Sequence, residues 1–118
     1  MRTLNDYFIT AHMHDISTAG SIYVPVPDKG RIIKISSVID GAITTANAAI
    51  TVRTSESGNT DVTNAGITIA HSGSGAGDID SSEPTALNAV NDGDFIRIIT
   101  SGASANTVSA TFTIIIRR

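Results

Sequence analysis

Apolar and polar positions alternate with a period of two through most of the chain, the spacing of a half-buried β-strand and not of a helix. Residues 7–14 set Tyr7, Ile9, Ala11 and Met13 against Phe8, Thr10, His12 and His14. Residues 21–27 put Ile22, Val24 and Val26 on one face and Tyr23, Pro25 and Pro27 on the other. Two prolines in one run cannot donate ladder hydrogen bonds, so this strand is expected at a sheet edge or a strand end. Pro-Asp-Lys-Gly at 27–30 reads as a tight turn. The run 31–39 then places Ile33, Ile35, Ser37 and Ile39 together, 49–55 aligns Ile50, Val52 and Thr54, and 65–71 aligns Ile67, Ile69 and His71. A strand over 94–100 follows. A closing strand over 107–118 puts Val108, Ala110, Phe112, Ile114 and Ile116 on one face.

Turn-forming residues separate these runs at 40–47, 56–61 and 101–106, and the longest irregular stretch is expected over 72–85. The best helical candidate, 84–90, spans only about two turns. About seven or eight short strands with no long helix predict an all-β fold: an antiparallel β-sandwich of jelly-roll type, in one domain over residues 1–118. Composition sharpens this. Isoleucine dominates, with much threonine, serine, alanine and glycine, while leucine occurs only at Leu4 and Leu87; β-branched side chains suit a pleated surface better than a helix. A chain of 118 residues can bury a core without staples. With no cysteine, it has no disulfide, thiolate metal site or cysteine nucleophile.

The net charge of −3 and the absence of any basic cluster beyond Arg117–Arg118 leave no footprint for duplex nucleic acid. Stacking platforms for single strands are scarce, with three phenylalanines, two tyrosines and no tryptophan. The first fifteen residues lack the apolar run of a signal peptide, and no stretch has the roughly 18 uncharged apolar residues of a membrane span. The expectation is a chain made in the cytoplasm, with no membrane partner.

The candidate chemistry is thin. Asn91-Asp92-Gly93-Asp94 resembles the start of a calcium loop. Such a loop needs a glutamate at its twelfth position, and that position from Asp92 is Ala103, beyond an apolar run. The stretch reads instead as a turn, since Asn, Asp and Gly tolerate positive φ. Asp78, Asp80 and Glu83 read as a solvated acidic loop. His12 and His14 project from one strand face and are candidate metal ligands, but two are too few for zinc without His71, Asp15 or another copy of the chain. They read as surface histidines. His71, Ser72 and Asp78 could be assembled into a triad only by tertiary geometry. Gly-Ser-Gly-Ala-Gly at 73–77 matches neither a nucleophile elbow nor a phosphate loop. No enzyme activity and no cofactor are expected.

Three stretches carry a resemblance. "SIYVPVPDKGRIIKISSVIDGAITTANAAITV" at 21–52 resembles the opening half of small tailed-phage virion proteins, where a strand ending in Val-Pro leads through a glycine turn to further strands. "PTALNAVNDGDFIRIITSG" at 84–102 is similar to their second half, and "ATFTIIIRR" at 110–118 to their closing strand. The family is that of the phage head decoration, or cement, proteins, and the resemblance covers most of the chain from about residue 21. It implies a jelly-roll homotrimer on the outer surface of the virion, partnered by the phage major capsid protein and stabilising the shell. It also implies an N-terminal arm over residues 1–6, with Arg2, Leu4 and Tyr7 as candidate capsid contacts. The candidate surface between subunits is aliphatic, at Ile32, Ile98 and Ile115, which are expected to be exposed. The alternative is a fibre-tip or head-fibre module that binds a receptor or a carbohydrate.

Overall fold

Wherever β-branched residues alternate with polar ones, the backbone is extended. The computed structural model describes residues 5–102 and 106–118, and over them it contains nine strands and no helix. These are β1 (Asp6–Met13), β2 (Gly20–Pro25), β3 (Gly30–Ile39), β4 (Ala48–Thr54), β5 (Ile67–Ile69), β6 (Ile79–Ser82), β7 (Ala89–Val90), β8 (Phe95–Thr100) and β9 (Ala110–Arg117). One sheet has the order β1-β9-β3-β6, with β7 also pairing β3, and the other the order β2-β8-β4-β5; all pairs are antiparallel.

Setting aside the two-residue β7, the strands pair first with last and inward from there: β1 with β9, β2 with β8, β3 with β6, β4 with β5. This is one long antiparallel hairpin rolled on itself. The β3–β9 and β4–β8 ladders complete the roll into two stacked sheets, which is the jelly roll. β2 lies at a sheet edge and ends at Pro25, with Pro27 beyond it, where a missing backbone N–H breaks no ladder.

The core lies between the sheets. Phe112 is the largest of the fully buried side chains and shares the core with Ile35, Ile50, Ile96, Ile114 and Ile116, among others. Its removal to alanine is expected to cost about 3–5 kcal/mol. Alternation on β4, β8 and β9 is strict, with every second residue buried. The inward positions read from the pattern at 49–55 and 107–118 therefore stand.

Several expectations are overturned. Ile32 and Ile98 are not exposed: both are 0 % accessible, inside the core. A β-bulge between Ile32 and Lys34 breaks the parity of β3, so Ile32 turns inward and Ile33 becomes half-buried. Ile98 belongs to the inward set of β8 with Ile96 and Thr100, while Arg97 and Ile99 face out. Of the three aliphatic candidates only Ile115 lies on an outer face, and it is half-buried. The stretch 72–85 is not all loop, because β6 pairs with β3 there. Residues 84–90 form no helix. Leu87 takes φ +57°, and buried Asn88 locks the segment to β3: its Nδ2 donates to the Ile32 carbonyl at 2.7 Å, and its own carbonyl accepts from the Ile32 amide at 2.9 Å. Gly30 closes no turn. It opens β3, where a Cβ would fall 2.6 Å from the Arg117 carbonyl oxygen, so it serves close approach of two strands. Asp6 already belongs to β1, so no free arm extends through residue 6; Arg2 and Leu4 lie outside the described residues.

Candidate interaction surfaces

The turn at 91–94 is structural. The Asp94 amide donates to the Asn91 carbonyl at 3.0 Å, the Asp94 carboxylate accepts from the Asn91 amide at 2.8 Å, and Gly93 takes φ +87°. The Gly93 amide donates to the Val26 carbonyl, which ties this turn to the end of β2. Two of the three carboxylates at 78–83 have structural places. Asp78 accepts from the Gly75 amide at 2.9 Å, and Asp80 lies within β6.

His12 is exposed on β1 with Nδ1 3.5 Å from Thr111 Oγ1, whereas His14 lies past the end of the strand and borders a different depression, beside Asp15. The two are not brought together on a common face. His71 Nδ1 lies 2.8 Å from Asn47 Oδ1, so its ring is oriented by an amide and not by Asp78. Among the described residues no group of three or more His, Asp or Glu side chains is placed to hold a metal ion.

What the fold does present is two unlike outer faces. On the β1-β9-β3-β6 sheet, the outward positions form cross-strand rows that follow from the register. Phe8 stands opposite Ile115 and Ile115 opposite Lys34; Thr10, Thr113, Ser36 and Ser81 form the next row; His12, Thr111, Val38 and Ile79 form the third. Across these rows Lys34 is the single formally charged side chain. Phe8 is 57 % and Ile79 71 % exposed. A face of hydroxyls, methyls, one phenyl ring, one imidazole and a single lysine carries little formal charge to desolvate.

The other sheet carries an aromatic–arginine cluster. Tyr23 on β2 meets Phe95 on β8 edge to face, with ring centroids 5.1 Å apart and an interplanar angle of 76°. Arg97 lies over the Tyr23 ring, 5.5 Å from its centroid, and its Cα partner across the ladder is Arg53. The Arg53 Nε donates to Asp61 at 2.7 Å, which offsets the like charges. The alternation of 21–27 already set Tyr23 outward. Its pairing with Phe95 depends on the β2–β8 register, to which no local signal in the sequence points.

The two faces differ at their ends as well. Around the start of β3, an open depression of about 370 Å³ is floored by Ile33, Ala89 and Val90 and rimmed by Lys29, Arg31, Arg117 and Arg118. Arg117 is held by Asp6 and Arg118 by Asp28. Tyr7 stands behind this rim. Its hydroxyl donates to the Asp28 carbonyl, and the Arg118 guanidinium lies 5.5 Å from its ring centroid. Burial, then the Asp28 carboxylate, push the Tyr7 hydroxyl pKa up. Tyr7 is thus a half-buried strut and not part of a loose arm.

No family model matches the chain, and no curated protein matches it. Solved structures do. The chain is similar to one in the acidic stable capsid structure of Helicobacter pylori bacteriophage KHP30, with a TM-score of 0.61 and 12 % identity over 96 % of this chain and 87 % of that one. It is similar to a chain of the cyanophage Pam1 capsid asymmetric unit, at 0.53 and 15 % over 99 % and 89 %. It is also similar to CsCBM6-3 from Clostridium stercorarium, solved with cellobiose, at 0.52 and 12 % over 99 % and 86 %. At these identities the likeness is one of fold.

Proposed function

We propose that this chain is a structural virion protein, a decoration or cement protein that binds the outer surface of a phage capsid as a homotrimer and strengthens the shell. The observation that carries this reading is the pair of unlike outer faces on one small sandwich. A clamp must hold two things at once. The weakly charged face of Phe8, Thr113 and Val38 suits burial against sibling copies. The Tyr23–Phe95–Arg97 cluster has the residue types that dominate binding energy at protein interfaces and suits the major capsid protein. Arg2 and Leu4, outside the described residues, are proposed as further capsid contacts. Fold similarity to chains of two phage capsids agrees. Three linked copies on neighbouring capsomers gain avidity without strong single contacts.

The test is co-sedimentation of purified protein with undecorated capsids of the encoding phage. Saturable binding that is lost in Tyr23→Ala supports the proposal; no binding by the folded wild-type protein refutes it. A second reading, a carbohydrate-binding fibre or head-fibre module, is favoured by the 60 % exposure of Tyr23. Arg97 lies over one face of the Tyr23 ring, which leaves at most the other for a sugar. A glycan array separates the readings, since a cement protein gives no specific signal.

A further inference from the structure

Arg31 and Arg117 are Cα partners in the β3–β9 ladder, and the row continues to Ala89 on one side and to Asp6 on the other. Like charges opposed across a ladder repel unless a counter-charge is shared. Asp6 is engaged by Arg117 through two hydrogen bonds. Arg31 therefore stands exposed between an arginine and an alanine. Lys29, also exposed, lies two residues before it, and no carboxylate pairs with either among the described residues. Both cations border the depression of about 370 Å³ at the start of β3. Asp6 and Asp28 fix the other two, Arg117 and Arg118, so part of the basic rim is held in place before anything binds.

An occupant must bring negative charge to Lys29 and Arg31 and something aliphatic to Ile33 and Ala89 between them. The depression is open, so it does not enclose an acyl chain. No aromatic ring lines it among the described residues, so it stacks neither a base nor a sugar. A polypeptide that sets an aliphatic side chain beside carboxylates has the matching chemistry. The position of the depression also names the partner. Phe95 is the Cα partner of Pro25, and the chain runs from Pro25 through Val26, Pro27 and Asp28 to Lys29. The Val26 amide donates to the Asp94 carbonyl, which fastens this connection to the start of β8. The Tyr23–Phe95–Arg97 cluster and the depression thus lie on the two sides of one end of the sandwich, where a single surface can reach both.

We propose that the depression at the start of β3 is a second contact with the major capsid protein and takes an acidic segment of it, an aliphatic side chain flanked by carboxylates. This deepens the capsid reading above and rests on it. Lys29 and Arg31 bind the carboxylates, and the aliphatic side chain covers Ile33 and Ala89. The incoming charge also relieves the repulsion between Arg31 and Arg117.

Two arms test it. In the first, isotope-labelled wild-type protein is titrated with a capped peptide, Glu-Glu-Ile-Glu-Glu, and amide shifts are followed by NMR. Saturable shifts centred on Arg31, Ile33 and Ala89 are expected, with binding roughly tenfold weaker when glycine replaces the isoleucine of the peptide. Absent shifts, shifts centred elsewhere, or equal binding of the glycine peptide or of inorganic phosphate overturn the proposal. So does tighter binding of decanoate or of a short oligonucleotide. In the second arm, Arg31→Glu and Lys29→Glu are compared with wild type in co-sedimentation with undecorated capsids. Each is expected to weaken binding roughly tenfold or more. Arg31→Glu should melt no lower than wild type, because a glutamate opposite Arg117 replaces a repulsion by an attraction. If wild type binds capsids and both variants bind as tightly, this contact is wrong and the capsid reading stands. If folded wild-type protein does not bind capsids, the capsid reading falls and this contact with it.

Discussion

Arg117 grips Asp6 through two parallel hydrogen bonds, Nε to Oδ1 at 2.8 Å and Nη2 to Oδ2 at 2.9 Å. The two residues are Cα partners in the β1–β9 ladder, so this fork closes the sheet where the first and last strands of the roll meet. The Asp6 side chain is itself shielded from solvent, while that of Arg117 stays partly exposed. A bidentate pair of this kind is directional as well as charged, and lysine cannot reproduce it. Arg117→Lys is expected to fray this end of the ladder. Amide exchange should accelerate at Tyr7, Phe8 and Ile116 while the Ala11–Met13 end keeps its protection. Uniform protection across β1 in the variant would show that the fork is dispensable.

Asn88 does for β3 what a full strand would do elsewhere. It gives and takes one hydrogen bond with Ile32, inside the bulge that turns Ile32 into the core. Asn88→Ala would leave the Ile32 carbonyl unpaired in a buried setting. The expected loss is about 1–3 kcal/mol, read from the denaturant midpoint with an unchanged slope.

Ser37 presents the reverse case. It points inward from β3, is 2 % exposed, and its hydroxyl has no hydrogen-bond partner among the described residues. Removing an unsatisfied buried hydroxyl relieves a desolvation cost and leaves only a small void. Ser37→Ala is therefore expected to be neutral or stabilising by up to about 1 kcal/mol, measured by thermal or chemical unfolding. A clear loss of stability would show that this hydroxyl has a partner in solution.

Asp15 organises the connection from β1 to β2 and fastens it to the approach to β9. Its carboxylate accepts from the Ser17 hydroxyl and amide, from the Thr18 hydroxyl at 2.9 Å and from the Val108 amide at 3.4 Å. These bonds, the Ser17 hydroxyl foremost, favour the ionised form and lower its pKa from 3.8 to about 2. The folded value lies below the unfolded one, so the stabilisation is fully present above about pH 4 and is lost as pH falls toward 2. Melting temperatures of wild type and Asp15→Asn are expected to converge across that interval. A gap that stays constant from pH 5 to about pH 2 would remove Asp15 from the acid response.

The strands were legible where parity was unbroken. In β9, Ala110, Phe112, Ile114 and Ile116 alternate with Thr111, Thr113 and Ile115, and both faces follow from the pattern. Parity fails at Ile32-Ile33. Two adjacent isoleucines fit either register, and the choice is made by pairing with Ile116 and by the Asn88 bonds, both remote in sequence. The acidic stretch at 78–83 looked like loop because its local composition is polar; β3 supplies the ladder that makes it a strand. The surfaces were the least legible. The Tyr23–Phe95 pair arises from register between distant strands, which single-strand alternation does not contain.

That distinction separates two isoleucines that composition alone treats alike. Ile98 is wholly buried among the inward residues of β8, whereas Ile115 is half-buried on the outer face between Phe8 and Lys34. A buried, unpaired carboxylate is among the most damaging changes a core can receive. Ile98→Asp is expected to cost more than about 4 kcal/mol and to abolish the β-sheet circular dichroism signal. Ile115→Asp can turn its carboxylate to water or toward Lys34, so it should keep the wild-type spectrum and melt within about 1 kcal/mol of it. Under the proposed function its effect belongs to association: light scattering should show a folded protein of lower oligomeric mass, because the charge would sit on the face proposed to pack against sibling copies. A folded Ile115→Asp protein with wild-type mass would move the subunit contact off this face, and an Ile98→Asp protein that folds would contradict the inward register of β8.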